Sequence, residues 1–300
     1  MTPIGELAAL AAACCWTLTG MVTVGLVRAI GPLRANHVRL WFVSAMLLSA
    51  AVFFGEWAVA LLYIWPIAIS GVVGIAVGDC LLFSALKRLG PSRNFVTFSS
   101  AAPFGALLAF LFYGEILSSS ALVGCLLVVV AIMLASKSSQ ASPENLSQKP
   151  AMDDVSGSLV AGVVFGLFAG FCQAAGAVII KPALAAGADP LTLSALRVVV
   201  GAGGVFCLRL GQTRGRFSYA GWTPVLLVRA ALSGFLGMGL GMTLLIFALA
   251  KTKAGIALTL SSITPLLSLL AVYALTKRRP TALSWCAALL AIIGVALLFY

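Results

Sequence analysis

Residues 78–91 read GDCLLFSALKRLGP, and a related string, GMTLLIFALAKTKAG, returns at residues 241–255. Working outward from this pair, Gly71, Gly74, Gly78 and Ala85 meet Gly234, Gly237, Gly241 and Ala248 at an offset of 163. Upstream, Pro32 and Arg39 meet Pro190 and Arg197 at 158; downstream, Ser99, Ser100 and Pro103 meet Ser261, Ser262 and Pro265 at 162. The steps between offsets fall outside the matched runs, which is the mark of a duplication. One difference stands out: the first string carries Asp79 where its copy has Met242.

Composition sets the solvent. Of 300 residues, 62% are hydrophobic and 9% charged, too few charges to coat a water-soluble globule. A helix needs about 20 apolar residues to cross a hydrocarbon layer of ~30 Å, and such runs follow one another almost end to end. The expected spans are 5–27, 36–55, 61–86, 92–113, 117–136, 158–181, 191–210, 222–250, 254–275 and 281–300, with the third and eighth long enough to tilt or bend. The polar stretch from Lys137 to Gly157 divides them into residues 1–136 and 158–300. Each unit has an odd number of spans, so the second enters the membrane upside down. The expected fold is an all-α membrane protein of ten transmembrane helices arranged as two inverted five-helix repeats.

Other classes fall away on composition. The first helix has no basic leader or cleavage region and is expected to be retained. The seven cysteines fall within spans without a CxxC or Cys/His pattern, so no metal or cofactor is expected. The net charge of +11 comes from basic residues in short loops, where membrane insertion places them, so nucleic acid is not an expected partner.

Trp16 in helix 1, Arg39 and Arg197 at the heads of helices 2 and 7, the GD..LF.AL.RLG string and PFGALLAFLFYGE from Pro103 to Glu115 resemble an EamA-like member of the drug/metabolite transporter superfamily. The resemblance covers essentially the whole chain. It implies a ten-helix carrier of small metabolites, often an amino-acid or metabolite exporter, with a cavity between the halves. The partners are then a small-molecule substrate and the lipid bilayer of the cell membrane, expected to be a bacterial inner membrane. The sequence sets no oligomeric state.

The matched residues suggest a pathway. Pro103 and Pro265 sit mid-span and each deprives the carbonyl four residues earlier, of Ser99 and Ser261, of its helical donor, which makes them candidate hinges. Arg93, Thr97 and Ser100 step along one face beside the first bend; Gly255, Thr259 and Ser262 do so beside the second. Lipid would penalise such a stripe, so it is expected to face protein or water, although each hydroxyl could instead bond back to its own helix. The glycine stripes of helices 3 and 8 are expected to let backbones approach closely. Trp16 could stack on substrate or simply pack.

Asp79 lies eight residues before Lys87, about 12 Å below the interface. Three roles compete: a structural ion pair with Arg229 of helix 8, expected at similar depth; a proton-titrating or substrate-amine site; or a near-interface carboxylate reaching water. Arg39 and Arg197 are expected to be membrane-edge anchors. Lys181-Pro182 closes helix 6, and His37, the sole histidine, is expected in a solvated loop.

Orientation divides the two lines of argument. Fourteen of the 19 Lys and Arg residues fall on the face opposite the N-terminus and four on its own face, which places both termini outside by the positive-inside rule. The family resemblance implies the reverse; the charge count is the expectation adopted here. Among rival functions, an intramembrane aspartyl protease is disfavoured because residue 76 is Ala and the remaining aspartates, Asp153, Asp154 and Asp189, are in loops, where that chemistry needs two carboxylates at depth. Export of small cationic drugs is the alternative within the class, but its carriers use a Glu deep in helix 1, whereas Glu6 is at the edge. Efflux of an amino acid or related polar metabolite by alternating access, with proton coupling as one option, is the expected function, and no enzymatic activity is expected.

Overall fold

The computed structural model describes residues 4–114, 118–137, 157–213, 221–251, 260–277 and 279–298, which form helices joined by short turns. In chain order these are α1 (Ile4–Ile30), α2 (Pro32–Phe54), α3 (Ala58–Leu62), α4 (Ile64–Ser70), the π-helical turn π1 (Gly71–Val77), α5 (Gly78–Phe98), α6 (Ala101–Tyr113) and α7 (Ser119–Lys137). They continue as α8 (Leu159–Ala185), α9 (Pro190–Thr213), α10 (Pro224–Gly234), a second π-helical turn π2 (Phe235–Gly241), α11 (Met242–Lys251), α12 (Thr264–Thr276) and α13 (Ala282–Leu298). Most of the polar stretch expected as a linker, 138–156, lies outside the described residues.

By length and apolarity, 7 helical stretches are able to cross a membrane, Ile64–Phe98 counting as one through π1; α6, α12 and α13 are apolar but shorter. Large apolar side chains point outward: Phe54 is 81% exposed, Leu62 82% and Trp65 77%, a surface that only lipid would cover.

Local chemistry explains the boundaries. Gly31 adopts φ 84°, a left-handed turn open to glycine, and Pro32 then opens α2 at a position whose amide would have no partner anyway. The helix therefore starts four residues before the expected 36, and His37 and Arg39 lie inside it instead of at its mouth. Pro190 opens α9 in the same way. Gly90 (φ 73°, ψ 171°) followed by Pro91 breaks α5 without a loop, where the expected third span gives way to the fourth. The expected bends of helices 3 and 8 are the two π-helical turns, which fall on the glycine stripes. Glycine brings no side chain to crowd the wider turn.

The proline breaks differ from expectation. Pro103 and Pro265 sit in the first turns of α6 and α12, and the chain turns just before them, at Ser99–Ser100 and Ser262–Ile263. The carbonyls expected to be orphaned are satisfied: Ala102 N–H donates to Ser99 O at 3.1 Å, and the Thr264 hydroxyl donates to Ser261 O at 2.9 Å. A proline in a first helical turn removes no interior hydrogen bond.

Packing exchanges partners between the repeats. α1 packs on α10, π2, α11 and α12, while α8 packs on α4, π1, α5 and α6; α2 lies against α9, and α7 against α13. Alanine fills one of these seams and branched apolar side chains the other. Ala131, Ala135, Ala287 and Ala291 join α7 to α13, and Leu40, Val43, Leu47, Ala195, Val198 and Val205 join α2 to α9. In lipid such helices are held by close van der Waals contact, since burial from water contributes little.

A central buried ion pair and its unmatched arginine

The carboxylate at position 79 has a partner, and it is not the one expected. Arg39 Nη1 donates to Asp79 Oδ2 at 2.8 Å, with side-chain exposures of 5% and 12%. Arg229 is exposed, its Nη1 about as close as 3.0 Å to where a Gly25 Cβ would stand on α1, so the expected pair with Asp79 is replaced. Because α2 begins at Pro32, Arg39 lies seven residues along it, about 10 Å by helical rise, instead of anchoring the membrane edge. The same Nη1 donates to Asn36 Oδ1 at 3.2 Å, Asn36 Nδ2 reaches Cys80 Sγ at 3.6 Å, and the guanidinium lies 5.0 Å over the Phe83 ring. The pair is thus tied to three further side chains of α2 and α5.

Arg197 is the repeat mate of Arg39 and equally misjudged as an edge anchor: it is 9% exposed, inside α9. Each arginine crosses to the glycine stripe of the other half. Arg39 Nη2 lies 3.4 Å from where a Gly237 Cβ would be, and Arg197 Nη2 lies 3.2 Å from the same position on Gly74. The stripes therefore act as packing surfaces for backbone and guanidinium. Arg197 interacts electrostatically with Asp79 but forms no hydrogen bond or ion pair among the described residues, and its buried Nε has no acceptor.

The other expected site residues separate into groups. Trp16 donates its indole N–H to the Gly237 carbonyl at 3.0 Å, one of the carbonyls of the second π-helical turn. Thr97 is buried and bonds back to Arg93 O at 2.9 Å; its Cγ2 would lie 2.6 Å from a Gly166 Cβ, and Ser100 faces Gly170. Thr97 and Ser100 thus face protein, packed against the glycines of α8. Arg93 is half-buried and Ser262 lies in the turn before α12. Thr259 and Gly255 lie outside the described residues. Lys181 stays on the surface, its Nζ 4.9 Å over the Tyr113 ring, and α8 runs on through Pro182 to Ala185.

His37 corrects the solvated-loop expectation. It is 4% exposed and stacks on Phe206 of α9 at 6.0 Å between centroids. Arg209, near the end of α9, is 2% exposed.

The two halves differ where their sequences differ. Asn36, Asp79 and Cys80 correspond to Ser194, Met242 and Thr243. The first three are locked together around Arg39; the second three line a cavity of about 210 Å³, bounded also by Leu47, Asp189, Pro190, Leu191 and Met238. Asp189 caps α9: its carboxylate accepts from the Thr192 amide at 3.0 Å, the Thr192 hydroxyl at 2.7 Å and the Glu56 amide at 3.3 Å. Burial pushes its pKa up, but these donors outweigh burial and hold it below the usual carboxylate value. Arg39, Asn36 and Arg197 are the functional candidates that sequence reading missed. Proline at the first helical position was the available signal, since it sets how deep each arginine lies.

Comparison with known proteins identifies the family. The EamA-like transporter family matches residues 3–137 and again 160–300. An uncharacterized transporter of Archaeoglobus fulgidus is 30% identical over 129 residues, 43% of this chain and 46% of that protein, so the match spans about half of the relative. A solved structure described only as the crystal structure of a protein shares the fold over 98% of this chain and 95% of its own, with a TM-score of 0.65 at 15% identity. With one family matching both halves of a polytopic helical chain, the protein belongs to the EamA-like transporter family.

Proposed function

We propose that this membrane transporter moves a small polar metabolite, an amino acid or a related compound, outward across the cell membrane by alternating access. Ten spans in two inverted five-helix repeats, 1–136 and 158–300, joined by the polar segment 137–157, provide the scaffold. The observation that carries the reading is the difference between equivalent places in the two halves: one closed by Arg39, Asp79, Asn36 and Cys80, the other a cavity of about 210 Å³. A carrier caught with one side sealed and the other open has this form, because its repeats exchange conformations as the site changes sides. Asp79, Arg39 and Arg197 form the centre; Trp16, Arg93, Thr97, Ser100, Arg229, Thr259 and Ser262 lie along the segments that move, and the turns beside Pro103 and Pro265 serve as hinges. Coupling to protons would act through Asp79 when its pair with Arg39 opens.

Two buried arginines against one carboxylate disfavour a cationic drug as cargo. The test is uptake and efflux of labelled amino acids and nucleobases in proteoliposomes, with and without a pH gradient. Flux of at least one amino acid, lowered by Asp79→Asn, is the expected result; no flux of any compound, or an unaffected variant across pH, would refute the reading.

A further inference from the structure

Charge in the middle of the protein does not cancel. Arg39 and Asp79 neutralise each other, whereas Arg197, equally buried, meets no carboxylate at hydrogen-bond distance. The repeat says where that carboxylate would be. Arg39 rests Nη2 on the glycine stripe of the other half and turns Nη1 to Asp79; Arg197 rests Nη2 on the matching stripe, and the residue equivalent to Asp79 is Met242. Met242 lines the cavity of about 210 Å³ together with Thr243 and Ser194, and Ser194 lies one turn from Arg197 on α9; Arg197 itself, set against Gly74 and Gly176, is not among the lining residues. A lone guanidinium at this depth is costly, and an ion that follows the substrate path is the natural means of relieving it.

We propose that the substrate completes the second half: it carries a carboxylate, which enters the cavity beside Met242 and docks on Arg197 as Asp79 docks on Arg39. This rests on the transporter reading and narrows its substrate to small carboxylates, for which an amino group is optional. At ~30 Å³ per water, the cavity holds about seven waters, the size of a short amino, hydroxy or keto acid. The planar fork of arginine suits such an anion, and the Ser194 hydroxyl is a further donor at the cavity wall, whereas the Thr243 hydroxyl already donates to the Gly239 carbonyl. Asp189 at the cavity wall is held by the amides and hydroxyl of its own helix cap, so it does not compete for Arg197.

The test is thermal unfolding of the full-length protein in detergent, at constant ionic strength set with sodium chloride. The probes are sodium acetate, sodium lactate, L-alanine and L-leucine, against acetamide, lactamide, L-alaninamide and L-leucinamide. At least one carboxylate is expected to raise Tm where its amide does not. Arg197→Gln should weaken that response roughly ten- to hundredfold, the loss of a charged hydrogen-bonded contact, while Arg197→Lys keeps part of it. Met242→Asp should raise Tm without ligand and remove the response, because the missing carboxylate is then built in. No shift with any carboxylate, equal shifts with the amides, or a Met242→Asp protein that is destabilised and still responds would each overturn the proposal. Carboxylate binding without flux would support the site and sink the carrier; flux indifferent to the carboxylate would do the reverse.

Discussion

Replacing Asp79 by Asn tests the central pairing most directly. The substitution preserves shape but removes the acceptor charge 2.8 Å from Arg39 Nη1, in a place where the two side chains are 5% and 12% exposed. At ~4 Å between charge centres and an effective dielectric near 20, the lost attraction is about 4 kcal/mol. Removing one member of a buried pair costs about 3–5 kcal/mol, much of it from the charge left behind. Two guanidinium groups, of Arg39 and Arg197, then share a low-dielectric centre without the carboxylate that both feel. At roughly 2–4 °C per kcal/mol, the thermal midpoint in detergent should fall on the order of 10 °C. Adding Arg39→Gln should recover part of the loss, although the stacking of Arg39 on Phe83 goes with it. Arg229→Gln in its place should recover nothing, since Arg229 lies against α1. The measurement is a double-mutant cycle by thermal unfolding. Additivity of Asp79→Asn and Arg39→Gln to within ~0.5 kcal/mol, or rescue by Arg229→Gln, would refute the assignment.

Three other outcomes follow from the same geometry. Gly241→Ala puts a methyl 2.6 Å from Trp16 Nε1 and 3.0 Å from the Leu236 carbonyl, so it should cost about 1–3 kcal/mol and shift tryptophan emission, whereas its mate Gly78→Ala, 3.3 Å from Cys172 Cβ, should be milder. Asp189 has a lowered pKa in the folded protein, so the stability it contributes is present above the unfolded value of about 3.9 and is lost as pH falls through the folded one. Asp189→Ala should cost about 0.5–2 kcal/mol at neutral pH and flatten the acid limb of a Tm–pH profile; an unchanged limb would count against the cap. With Arg39, Arg209 and Arg197 buried inside helices, the remaining basic residues still favour the face opposite the N-terminus, so alkaline phosphatase fused after Tyr300 should be active and a fluorescent reporter there dark; the reverse result would set aside the charge count.

The class of protein was legible in its residues, because the bilayer imposes its demands locally: apolar runs of spanning length, and punctuation by glycine and proline, need no tertiary context. Duplication was legible for the same reason, from paired prolines and glycine stripes at constant offsets, and so was the family. Even the bends were foreshadowed, since Gly71–Gly78 and Gly234–Gly241 mark the two π-helical turns. Which charged groups meet was another matter. Arg39 and Asp79 are 40 residues apart and Trp16 and Gly237 are 221 apart, so their contacts depend on the rotation and depth of separate helices. Moving the start of α2 by four residues turns an edge anchor into the partner of the buried carboxylate, and a half-turn error in facing would have sent it to lipid. The hydroxyl stripe of Thr97 and Ser100 was rightly placed away from lipid, yet only packing decided that its neighbour is α8. Sequence sets where a chain can cross a membrane; the close fit of helix against helix sets which charge is answered and which is left waiting.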